Sequence, residues 1–175
     1  MAAESEKARV LNCHREPSVV DFAPLRTCKT IGIDGDTGAG KTTLARELQS
    51  ILGGEVISLD CFLNEFIPGN GAPPSYASQI NKDLLRERLN RVTLKPLIIE
   101  GILLLDVLAT VNMRPDYLIF AKSKFDGQWD YEQYLRSPAI QPKSQLTREI
   151  ANYYRIHRSF EKSQLQTTLQ KSLRR

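Results

Sequence analysis

The 175-residue sequence predicts a three-layer α/β fold, a short parallel sheet flanked by helices. Three observations carry that expectation. A glycine-rich run ending in Lys-Thr, Gly35-Asp36-Thr37-Gly38-Ala39-Gly40-Lys41-Thr42, lies between an apolar strand pattern and a helical pattern. Short apolar runs then alternate with helical patterns as far as residue 121, the rhythm of a parallel sheet wrapped by helices. Two of the later runs end in an acid, Asp60 and Glu100, and ligands of such sheets bind beyond the carboxyl ends of the strands. Together these are the marks of a P-loop NTPase fold.

The elements follow in order. Residues 1–28 form a polar N-terminal extension that includes Val19-Val20-Asp21-Phe22, fit for an extra strand or a packed arm; the domain proper runs from 29 to 175. Lys29–Asp34 is the first strand. After the glycine loop, Leu44, Leu48 and Ile51 share one helical face, and Gly53-Gly54 stops the helix near Leu52. Glu55–Asp60 reads as the second strand, followed by a turn-rich stretch at Ile67–Pro74. Leu84, Leu85, Leu89 and Val92 mark an amphipathic helix capped near Asn81. Pro96–Gly101 is a third strand, almost continuously apolar because both sheet faces are covered. A short helix from Ile102 to about Val111 leads to a fourth strand, Asp116–Ala121. There the alternation stops. Residues 123–142 are polar, and Ser144 to about Lys171 reads as one long helix, so no fifth strand is expected.

Composition narrows the class. With 41% hydrophobic and 25% charged residues the chain is that of an ordinary globular domain, and no apolar run approaches a membrane span. Three cysteines, Cys13, Cys28 and Cys61, lack metal-type spacing, which predicts reduced thiols and a cytoplasmic protein. The net charge is +4, with the excess cations in the last third. No aromatic-basic recognition module accompanies them, which argues against nucleic acid; a polyanionic nucleotide or a solvated helix face accounts for them as well.

The loop supplies the chemistry. Glycines let backbone N–H groups curl around phosphate oxygens, and the following helix adds a favourable dipole. Gly35, Asp36, Thr37, Gly38, Ala39, Gly40, Lys41, Thr42 and Thr43 are therefore expected to hold a nucleoside triphosphate, with Lys41 on the β- and γ-phosphates and Thr42 on Mg²⁺. Phosphoryl transfer also needs metal neutralisation and a group that takes or orients the acceptor proton. Glu100, closing an apolar run, stands at the Walker-B position for the metal, and Asp60 is better placed for the acceptor hydroxyl. Asp34, just before the loop, supports Lys41 or the metal, or else serves a plain turn.

Ile33–Ala45, Ser58-Leu59-Asp60-Cys61-Phe62 and Ile98-Ile99-Glu100-Gly101-Ile102-Leu103 occur in that order. This resembles the uridine kinase and nicotinamide riboside kinase group of P-loop kinases, which includes phosphoribulokinase- and pantothenate-kinase-like members. The resemblance covers residues 29–121. It implies an ATP- and Mg²⁺-dependent kinase acting on a hydroxyl of a small, nucleoside-like molecule. It further implies that Asp60 is the general base, Phe62 the aromatic lining the acceptor pocket, and Glu100 the acid on metal or substrate.

The pattern breaks after the fourth strand. Members of that group follow it with an arginine-dense lid, whereas residues 123–136 offer only Arg136. Arg148, Arg155 and Arg158 share one face of the long helix, as a substitute lid or a solvated surface; Leu146, Ile150, Tyr153, His157 and Phe160 form the opposite stripe. His157 and the tyrosines at 131, 134, 153 and 154 read as packing residues. Two other functions stay in view. A GTPase switch needs Asn-Lys-x-Asp at a strand end, and Asn81-Lys82-Asp83 has the wrong spacing. A non-catalytic nucleotide-binding module derived from a kinase is the alternative that the altered lid favours.

Overall fold

A computed structural model describes residues 9–12, 24–64, 74–122, 131–136 and 144–168. Among these residues six strands form one parallel sheet: β1 (Arg9–Asn12), β2 (Thr30–Gly35), β3 (Glu55–Ser58), β4 (Leu97–Glu100), β5 (Tyr117–Lys122) and β6 (Leu165–Thr168). Their spatial order is β1-β6-β5-β2-β4-β3. The helices are α1 (Lys41–Leu52), α2 (Tyr76–Gln79), α3 (Lys82–Asn90), α4 (Leu104–Thr110), α5 (Tyr131–Arg136), α6 (Gln145–His157) and α7 (Ser159–Lys162). The fold is α/β, of the P-loop NTPase class.

Strand alternation sorts the core into two layers. Ile31, Ile33, Ile98 and Ile119 face Leu44, Ala45 and Leu48 of α1. Leu97, Ile99, Leu118 and Phe120 face the other way, against Leu104, Val107 and Leu108 of α4 and Ile150, Tyr153 and Tyr154 of α6. Local signals set the helix ends. Asn81 accepts a bond from Leu84 N at 3.1 Å and starts α3, as its sequence position predicts. Ser144 does the same for α6 through Thr147 N, also at 3.1 Å.

Three sequence expectations change. The second strand ends at Ser58, and Asp60 lies in a 3-10 turn, Leu59–Phe62, directly after it. The long helix to Lys171 does not form: α6 stops at His157, where Arg158 takes a left-handed backbone (φ 50°), and the chain returns as α7 and then β6. A fifth strand of the domain therefore exists. It was hidden because Leu165-Gln166-Thr167-Thr168 carries a single large apolar residue. Pairing with β5 and β1 makes it a strand, and Gln164 docks it by exchanging two bonds with the Leu118 backbone. Lastly, β1, inside the N-terminal extension, joins the same sheet at its edge. Val19–Phe22, Ile67–Gly71 and Trp129 lie outside the described residues.

Candidate active site

The ends of β2, β3 and β4 bring the loop and the two acids to one edge of the sheet. Thr37, Gly38, Gly40, Lys41, Thr42, Thr43, Asp60, Glu100 and Ile102 line a single cavity of about 310 Å³. Glycine is required at the loop's first position: Gly35 has φ 138°, and a Cβ there would stand 2.1 Å from the Ala121 carbonyl oxygen. That close approach lets Asp36 N donate to Ala121 O at 3.0 Å and anchors the loop on β5.

Lys41 is 8% exposed, and its Nζ donates to the carbonyls of Gly35 (3.1 Å) and Asp36 (2.8 Å). Burial pushes its pKa down, while Asp34, Glu100, Asp36 and Asp60 pull it back up. Thr42 Oγ1 donates to Glu100 Oε1 at 3.0 Å, so the expected metal donors are already neighbours. A hydroxyl and a carboxylate oxygen suit Mg²⁺, which takes its remaining ligands from phosphate and water. Among the described residues no cluster of three or more His, Cys, Asp or Glu could hold a metal unaided.

Asp60 is exposed to the cavity, and its Oδ1 accepts from the Tyr76 hydroxyl at 2.6 Å. Asp34 is fully buried: Oδ1 accepts from Gly35 N (2.9 Å) and Oδ2 from the Tyr153 hydroxyl (2.6 Å). Burial raises its pKa, with the Tyr153 bond the leading opposing influence. Its bonds go to the turn and to α6 rather than to Lys41. Asp36, also buried, accepts from the Tyr154 hydroxyl at 3.1 Å. Burial, reinforced by these acids, pushes both phenols well above their ordinary range.

The remaining candidates are placed differently. Phe62 is half-buried against the core beside Asp60 and is not among the cavity-lining residues. Arg148, Arg155 and Arg158 are exposed, and none lines the cavity. Arg155 instead bonds Asn152 Oδ1 and the Tyr134 carbonyl. Arg136 ends α5, and its side chain lies outside the described residues. His157 is half-buried and bonds Asp106 at 2.6 Å, a packing role as its place on the stripe predicts. Sequence reasoning missed Tyr76 and the reach of Tyr153 and Tyr154. A signal existed for the pair: a phenol on a buried stripe needs a polar partner. Cys28 and Cys61 are free thiols.

No protein-family model matches the chain, and no curated protein matches it in sequence. A solved structure that does match is a shikimate kinase from Acinetobacter baumannii in complex with shikimate, 16% identical, with 89% of each chain covered and a TM-score of 0.46. The functional reading therefore rests on this chain's own side chains.

Proposed function

We propose that the protein is a cytoplasmic ATP-dependent kinase that transfers the γ-phosphoryl group to a hydroxyl of a small, nucleoside-like molecule. One observation carries the reading: a phosphate loop with its lysine, a Thr-Glu pair suited to Mg²⁺, and an exposed carboxylate line the same cavity. The loop amides and Lys41 receive the triphosphate. Thr42 and Glu100 hold the metal, which when bound neutralises phosphate charge. Asp60 accepts the acceptor's hydroxyl proton as the new O–P bond forms and the β–γ bridge bond breaks, releasing ADP. Lys41, Asp60 and Glu100 are thus the catalytic residues. No helix among the described residues is long and apolar enough to cross a membrane.

The test is ADP release from Mg·ATP across a panel of nucleosides, nicotinamide riboside and other small alcohols. A signal that depends on the acceptor, falls by more than tenfold in Lys41→Ala, and vanishes in Asp60→Asn while ATP binding persists is the expected result. ATP binding with no acceptor-dependent release across the panel favours the non-catalytic module.

A further inference from the structure

We propose that Tyr76 is a positioning residue for the Asp60 carboxylate; the inference rests on the kinase reading above. Three anchors fix Tyr76 independently of Asp60. Its ring belongs to the core cluster and it is 7% exposed. Its amide donates to Glu149 Oε2 of α6 at 2.8 Å. Ser75 caps the short helix that it begins, accepting from Ser78 N. Asp60, by contrast, is exposed in a 3-10 turn and has little packing of its own to hold it.

The two segments are also stitched together. Asn81 N donates to Phe62 O at 2.7 Å, Asn64 N to Gln79 O at 2.8 Å, and Leu63 bridges Ile80. This clip sets the Tyr76 hydroxyl 2.6 Å from Asp60 Oδ1. The bond restrains one carboxylate oxygen, and the second is left for the acceptor proton. The Tyr76 phenol is itself pushed up, first by burial and then by the Asp60 bond, so it stays a donor throughout the working range.

The experiment compares parent and Tyr76→Phe for kcat and KM for ATP of acceptor-dependent ADP release, with Asp60→Asn as the inactive control. Tyr76→Phe is expected to lower kcat by about tenfold with KM for ATP within about twofold. A fluorinated tyrosine at position 76 keeps the ring and the bond, and should retain the parental rate. Parental kcat in Tyr76→Phe, or a fluorotyrosine protein as slow as Tyr76→Phe, overturns the positioning role while leaving the kinase intact. A parent without acceptor-dependent release overturns both. If Tyr76→Phe does not fold, 4-fluorophenylalanine at position 76, which fills the place of the ring but cannot donate, decides: a parental kcat refutes the proposal.

Discussion

Replacing Tyr153 by Phe tests whether α6 secures the phosphate loop. The ring is 1% exposed, and its hydroxyl donates to Asp34 Oδ2 at 2.6 Å while accepting from Leu105 N at 3.1 Å. Phenylalanine keeps the ring packing and deletes both bonds. A hydrogen bond to a charged group is worth roughly 1.5–3 kcal/mol and a neutral one roughly 0.5–1.5 kcal/mol. The two together predict a loss of roughly 2–4 kcal/mol. In a chain of this length each kcal/mol lowers Tm by roughly 2–4 °C, so thermal unfolding should shift by roughly 5–15 °C. The pH dependence adds a second check. Asp34 is a carboxyl whose folded pKa is raised, so its contribution is fully present below its unfolded pKa and is lost as pH rises through the folded one. Removing the phenol, which opposes that rise, extends the penalty, so the deficit of the variant should grow from acid to neutral pH. A Tm within about 2 °C of the parent at neutral pH would refute the reasoning.

Arg148, Arg155 and Arg158 are exposed and away from the cavity, so single alanine replacements should each change turnover by less than about threefold. A tenfold fall in any one would restore that helix face as a lid. Glu55 accepts from Arg88 (2.7 Å), Leu94 N and Thr93 N, chiefly the first, and is held down to about 2. A depressed carboxylate contributes stability above its unfolded pKa that is lost as pH falls through the folded one. The Tm gap between parent and Glu55→Gln should therefore narrow between pH 4.5 and about 2, and a constant gap would refute it.

The legible parts of the site are those that sequence neighbours make alone. The loop at 35–42 is eight consecutive residues whose glycines and lysine act together, and Glu100 is marked by the apolar run before it. Asp60 was found for the same reason, although the strand stops two residues short of it. What stayed hidden depends on residues far apart in the chain. Tyr153 and Asp34 are 119 positions apart, and Tyr76 and Asp60 are 16 apart. β6 was missed because backbone pairing, rather than hydrophobic alternation, makes it a strand. The end of α6 was missed because an arginine, not a glycine, adopts the left-handed turn.

Each acid around Lys41 accepts from a hydroxyl: Asp34 from Tyr153, Asp36 from Tyr154, Asp60 from Tyr76 and Glu100 from Thr42. Lys41 is the one cation lining the cavity among the described residues, so the site favours a nucleotide that arrives with its divalent cation. Metal-free ATP should accordingly bind more weakly than Mg·ATP, as calorimetry with and without a chelator would measure. Asp36 is the most informative place to intervene, since it sits within the loop and Asn can still accept from Tyr154. Removing the carboxylate from the loop should tighten metal-free binding by roughly three- to tenfold. Equal affinities with and without metal in the parent, or no gain in Asp36→Asn, would mean that Lys41 and the loop amides already offset the four acids.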